Sequence, residues 1–316
     1  MDAGERRGRL RPIGLPVLLD RHGSTFGWLL GLIPAAVLLY AGVMKGLDPA
    51  LFADQIGAHK VTPQAWSPAL AYFFIAVELL LGIALLFRLW PRLSHLAFVA
   101  LMLGFIGTTA FAWASGNARE CGCFGRAAAR GPLAVILEDA GLIVVSLVCH
   151  RLLRRVRTPR WAIAAGLAIA PFALAFTAFG ARLPADSLVT GVGPGKDLSE
   201  MPIEDLRTPH TEGWNLLVLL DSDCAGCAEA VPRLTDLARD RKDLAVAAVF
   251  CGTRQEAVAW RLKRLPGFPV AHASPRALRA YYRTLPTTFL LRDSRLERAW
   301  WGRIPEGSEV TELLPR

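Results

Sequence analysis

Five stretches of about twenty mostly apolar residues, at 26–44, 66–87, 96–115, 132–149 and 161–180, leave this chain few folds to choose from. In hydrocarbon every backbone N–H and C=O must be satisfied internally, so runs of this length become helices that cross a bilayer. The 316 residues are 53% hydrophobic with a positive mean hydropathy, too apolar for one water-soluble domain. After residue 180 the pattern changes to short apolar runs among charged and Pro- or Gly-containing stretches, as in a globular α/β domain. The expected organisation is a basic N-terminus at 1–25, four spans within 26–150, a basic loop and fifth span at 151–181, a Gly/Pro-rich linker at 182–202 and a soluble domain at 203–316. The first apolar run reads as an anchor. It is long for a cleaved leader, no small-residue cleavage site follows, and further spans come after it.

A formal charge of +9 raises nucleic acid and anionic lipid as partners, and the placement of the arginines decides between them. Arg6, Arg7, Arg9, Arg11 and Arg21 precede the first span, Arg88 and Arg92 follow the second, and Arg151, Arg154, Arg155, Arg157 and Arg160 separate the fourth from the fifth. That is a topology signal, and it excludes nucleic acid as the explanation. It places the N-terminus and two loops in the cytoplasm of a bacterial inner-membrane protein, and the other two loops and the C-terminal domain outside.

Four of the six cysteines form two close pairs, Cys121-Gly122-Cys123-Phe124-Gly125 between the third and fourth spans and Cys224-Ala225-Gly226-Cys227 after an expected strand at 215–220. Topology read from arginines alone puts both pairs on the extracytoplasmic side, where disulfide chemistry is permitted. Cys224 falls at the N-terminus of an expected helix, 224–239, whose dipole stabilises a thiolate and makes it the attacking sulfur. Cys227, one turn on, is placed to resolve the mixed disulfide. A glycine alone separates Cys121 from Cys123, so a bond between them closes a tight, strained ring and becomes a good electron acceptor. Arg119 and Arg126 flank that pair as candidate thiolate stabilisers. Two pairs on one side are what a thiol–disulfide relay needs. Neither pair has the further ligands of a zinc site, so no metal is expected. Cys251 reads as a small core residue and Cys149 as inert.

Glu78, Glu138 and Asp139 lie inside expected spans, where an ionisable group needs a partner or a cavity. They are candidates for proton handling, with helix packing as the alternative. No covalently bound cofactor is expected; a membrane quinone, whose reduction takes protons with electrons, is the expected acceptor.

Two resemblances sharpen this reading. The order of strand, CxxC and helix, Pro232 five residues after Cys227, and Leu285-Pro286-Thr287-Thr288 before a strand at 288–291 resemble the thioredoxin family, as do a strand at 244–250 and a helix at 254–265. The resemblance implies that Pro286 is the family's cis-proline, which lies against the active-site disulfide and orients a client's extended backbone. One position departs: Val218 stands where thioredoxins bury an acid, leaving Asp221, Asp223 or water to take the proton of Cys227. Ala41-Gly42-Val43-Met44-Lys45-Gly46-Leu47-Asp48-Pro49, Val77-Glu78-Leu79-Leu80-Leu81-Gly82 and CGCFG resemble the methylamine-utilisation MauE proteins of the DoxX-like group. That resemblance implies an all-α four-helix membrane bundle. MauE-like proteins act with a thioredoxin-like partner, MauD, in maturing a disulfide-rich dehydrogenase subunit, and this chain looks like the two fused. The expectation is a membrane thiol–disulfide oxidoreductase that oxidises cysteine-containing extracytoplasmic clients. The alternative is a membrane-anchored maturation factor for a disulfide-rich client, without quinone turnover.

Overall fold

The computed structural model describes residues 15–116, 131–153, 156–203, 212–222 and 225–314. These fall into two units that meet in sequence at Arg182 and Leu183.

The first unit is helical: α1 (Leu15–Leu47), α2 (Pro49–Ala58), α3 (Ser67–Leu86), α4 (Pro91–Ala114), α5 (Pro132–Leu152) and α6 (Arg160–Phe179). Five segments, Thr25–Leu47, Gln64–Leu86, Pro91–Ala114, Pro132–Leu152 and Arg160–Arg182, are long and apolar enough to cross a membrane. At 1.5 Å per residue each covers the ~30 Å hydrocarbon core. The protein is therefore a multi-pass membrane protein, with spans where the apolar runs fall. α2 is additional to that reading, although Asp48-Pro49 announces it. The Asp48 side chain accepts a hydrogen bond from the Leu51 N–H at 3.1 Å, and Pro49 opens the helix.

Lipid supplies no hydrophobic drive between helices, so close packing depends on small residues. α1 lies against α3 and α5, α4 against α5, and α6 against α3. Gly42 and Gly46, four apart on α1, let that helix approach α3 and the C-terminal end of α6. A Cβ on Gly42 would stand 2.9 Å from Leu79, and one on Gly82 of α3 would stand 2.8 Å from Leu39, so the two helices interlock glycine to leucine. A Cβ on Gly180 would lie 2.7 Å from the Gly46 carbonyl oxygen. Ala35, Leu38, Leu85, Phe98 and Met102 form one buried cluster and Phe52, Ala71, Ile75 and Leu79 another.

The second unit is a five-stranded mixed sheet in the order β3-β2-β1-β4-β5, built from β1 (Trp214–Leu220), β2 (Leu244–Cys251), β3 (Val270–Ala273), β4 (Thr287–Arg292) and β5 (Arg295–Trp300). β1, β2 and β3 run parallel, and β4 and β5 antiparallel to their neighbours. α7 (Asp186–Thr190) precedes the sheet; α8 (Ala225–Asp240) and α9 (Arg254–Arg264) make the crossovers, and α10 (Pro275–Leu278) and α11 (Gly307–Thr311) follow later. Leu216, Val218 and Leu220 face α8 and α9, beside Val231, Leu234, Ala257 and Trp260. Leu217 and Leu219 face the other way, with Val249, Phe289 and Leu291. This is a thioredoxin-like domain. β3 and β5 were not foreseen: β3 is four residues long, and in β5 charged residues separate Leu296 from Trp300.

The expected linker at 182–202 is corrected. Residues 186–202 form α7 and then pack on the sheet, burying Val192, Leu198 and Met201 in the second core face. The Gly195 and Leu198 N–H groups donate to the carbonyls of Leu296 at 2.6 Å and Ser294 at 2.9 Å. Gly191, at φ 66°, and Gly195, at φ 81°, carry the left-handed backbone of this packed segment, so the glycines that read as a flexible tether are there for turns. The soluble unit begins at Leu183, not at residue 203.

Candidate redox site

β1 delivers the chain to one edge of the sheet, and α8 leaves from that edge. Cys227, in the first turn of α8, is fully buried and disulfide-bonded. Cys224, Cys121, Cys123, Arg119 and Arg126 lie outside the described residues. Cys227 belongs to the core face that contains Val218, which is itself fully buried. Asp221 is half-buried just beyond the end of β1.

The antiparallel register pairs Leu219 with Thr287, so Pro286 falls opposite Leu220 at the edge from which α8 departs. The Leu285–Pro286 peptide bond is cis, and Pro286 is buried. The preceding loop is held from three directions. Arg279 donates from Nη1 to the carbonyls of Tyr282 at 3.0 Å and Arg283 at 2.8 Å. The Tyr282 hydroxyl and the Cys251 thiol are hydrogen-bond partners. Arg283 forms a buried ion pair with Asp186, with Nε 3.1 Å from Oδ1, and donates from Nη2 to Asp186 Oδ2 at 3.2 Å and to the Leu183 carbonyl at 2.6 Å. Segment 183–186, just past the last membrane helix, thus grips the loop that carries Pro286. Sequence reading passed over Asp186, Arg279 and Arg283. Nothing in their spacing marks them, since the partners are up to about a hundred residues apart.

Cys251 ends β2 on the face opposite Cys227. Burial, reinforced by the nearby Asp221 charge, pushes its thiol up to about 12, against the lowering effect of the Tyr282 hydrogen bond. A thiol so held stays protonated at neutral pH and is a poor nucleophile.

In the membrane unit Glu78 is fully buried and paired with the Lys45 ammonium through Oε1. The ammonium also stands over the rings of Phe52, 4.5 Å from its centroid, and Phe105, at 5.0 Å. Glu78 Oε2 has no hydrogen-bond partner among the described residues. A lysine at the end of an apolar run ordinarily snorkels to water; this one turns inward, because α2 closes over it from Asp48 onward. Asp139 is buried and Glu138 half-buried on α5. His95, which no sequence pattern singled out, is buried with Nδ1 2.9 Å from Ser146 Oγ, tying α4 to α5. Cys149 is fully buried. Among the described residues there is no cluster of three or more His, Cys, Asp or Glu able to hold a metal.

Residues 23–152 match the family model of the methylamine utilisation protein MauE. No curated protein matches the chain. Among solved structures, a protein assigned as the thiol:disulfide interchange protein DsbE of Chlorobium tepidum is 21% identical, with a TM-score of 0.34, covering 38% of this chain and 94% of its own. StoA from Bacillus subtilis is 20% identical at a TM-score of 0.30, covering 38% and 93%. A secreted Mycobacterium tuberculosis disulfide oxidoreductase homologous to E. coli DsbE is 11% identical at 0.28, covering 32% and 81%. The thioredoxin-like assignment rests on the strand order and on the placement of Cys227 and Pro286, not on these scores.

Proposed function

We propose that this protein is a membrane thiol–disulfide oxidoreductase that draws two electrons from extracytoplasmic client dithiols through Cys224/Cys227 and passes them to Cys121/Cys123. The observation that carries the reading is a disulfide-bonded Cys227 in the first turn of α8, with Pro286 at the same sheet edge, in a chain whose membrane part matches MauE. Cys224 sulfur is attacked by a client thiolate, giving a mixed disulfide. The second client thiolate then displaces Cys224, so the client leaves oxidised and the CxxC pair reduced. Cys224 thiolate in turn attacks the Cys121/Cys123 bond, Cys227 resolves that mixed disulfide, and the CxC pair is left as dithiol. A quinone in the bilayer supplies an acceptor for two electrons and two protons. The Lys45 ammonium and the Phe52 and Phe105 rings supply a donor and apolar walls of the kind a quinone head takes, and Glu78 Oε2, without a hydrogen-bond partner among the described residues, is open to a proton. In this reading Glu78 holds a proton for that acceptor. The N-terminus is cytoplasmic, and both cysteine pairs and the soluble domain are outside.

Val218 favours a second reading. With an aliphatic side chain where thioredoxins bury an acid, Cys227 loses a proton acceptor on its own core face, which suits capture of a client better than turnover. Thiol trapping in cells separates the two. Oxidative turnover predicts that both pairs stay oxidised while respiration runs and become reduced when it stops. Pairs whose redox state is indifferent to respiration, with no quinone reduction by purified protein and reduced client, leave the maturation-factor reading.

A further inference from the structure

α9 carries an apolar stripe that the core does not use. Its inward face, Ala257 and Trp260, is buried, and Trp260 packs near Phe250 with ring centroids 6.1 Å apart. Val258 and Leu262, four apart, share one helix face, and Leu265 follows at the left-handed cap that ends the helix. They are 46%, 71% and 78% exposed. Among the described residues of this domain, the other large exposed hydrophobic side chains are Leu183 and Leu188, beside the last membrane helix in sequence, and Leu313, so the largest run of apolar exposure on the sheet-covering helices falls at α9. Arg254, Arg261, Lys263 and Arg264 surround the stripe, all exposed. The one acid, Glu256, is turned back to cap the helix, accepting from the Thr253 N–H at 2.8 Å and hydroxyl at 2.9 Å. A shallow depression of about 370 Å³ runs between Arg254, Gln255, Val258, Ala259 and Leu262.

Leucines standing proud among guanidinium and ammonium groups match one surface closely: the boundary between anionic headgroups and acyl chains, where apolar side chains enter the hydrocarbon and cations meet phosphate. That surface is always at hand, because the chain leaves a membrane helix only a few residues before this domain begins. We propose that α9 docks the soluble domain on the anionic headgroup layer of the membrane that the chain spans. The inference goes beyond the redox reading and does not depend on it. Such docking limits the orientations the domain can take above the bilayer.

The test uses the full chain with p-benzoylphenylalanine in place of Leu262, reconstituted in nanodiscs of phosphatidylcholine alone or of an equal mixture with phosphatidylglycerol. After irradiation, mass spectrometry counts lipid adducts at that position, with the same probe at exposed Glu312 as control. The expected result is several-fold more lipid adduct at 262 with phosphatidylglycerol than without, falling at high salt and in an Arg254→Gln, Arg261→Gln, Arg264→Gln variant, whose changes are at exposed positions. Lipid adduct at 262 no greater than at 312, or unaffected by phosphatidylglycerol, overturns it. Adducts to protein in place of lipid overturn it too, and assign the stripe to a second copy or a protein partner.

Discussion

Two cysteines on either side of one sheet, Cys227 in α8 and Cys251 at the end of β2, belong to opposite cores, and that separation decides their chemistry. With its thiol pushed up to about 12, Cys251 is thiolate at pH 8 in only about one molecule in ten thousand. Iodoacetamide at pH 8 should therefore leave Cys251 unmodified in the reduced native protein, and Cys251→Ala should not change client trapping. Rapid alkylation of Cys251 before unfolding contradicts its assigned burial. The same shift has a sign for stability. The folded thiol holds its proton above the ordinary value of 9.0, so its contribution is whole below pH 9 and is lost as pH rises toward 12. In the membrane, Lys45 and Glu78 form a pair whose partners depend on each other. Removing either one strands a charge in a dry site, which costs about 3–5 kcal/mol. Lys45→Met and Glu78→Gln should each lower the thermal midpoint in detergent, and Lys45→Met with Glu78→Met should recover most of the loss. Restored stability with absent quinone reduction assigns Glu78 to proton handling; recovery of both makes the pair a packing device.

At the scale of elements, the contacts that matter are those where backbone approaches backbone. A methyl group on Gly180 meets the Gly46 carbonyl, which cannot step aside, whereas one on Gly104 meets nothing within 4 Å. Gly180→Ala should cost about 1–3 kcal/mol and Gly104→Ala should be neutral or stabilising, as read by thermal unfolding in detergent. The loop before Pro286 depends on Arg283. Arg283→Met leaves Asp186 buried and uncompensated, a loss of about 3–5 kcal/mol that Asp186→Leu on the same chain should largely repair. If the tie positions Pro286, the repaired protein should still trap clients less well through Cys224. These elements differ in how far the sequence reveals them. Spans, β1, β2, β4 and α8 follow from apolar period and length, because each buries a continuous face. β5 hides because Arg295, Glu297 and Arg298 interrupt its apolar residues, and it is made by a hairpin turn at Asp293 and Ser294, both at positive φ, without the Asn-Gly or Asp-Gly pair that signals such a turn.

For the molecule as a whole, a thioredoxin-like domain following a five-span membrane unit was legible because the two halves differ in hydrophobic period and the cysteine pairs in chemistry. Orientation is the part that rests on the arginines. Phosphatase fusions at Gly125 and after Arg316 should both be active in the periplasm, and cytoplasmic signal from either removes the relay. The boundary between the halves was misplaced for a physical reason: glycines needed for left-handed turns at 191 and 195 look the same in sequence as glycines that confer slack. The same segment sets where the domain can be cut from its anchor. A secreted fragment starting at residue 203 would lack Val192, Leu198 and Met201, baring a greasy scar on the sheet, and would lose the Asp186 partner of Arg283. It should aggregate, whereas a fragment starting at Leu183 carries its own cover, so release by a protease would yield a sound domain only if the cut fell on the membrane side of Asp186.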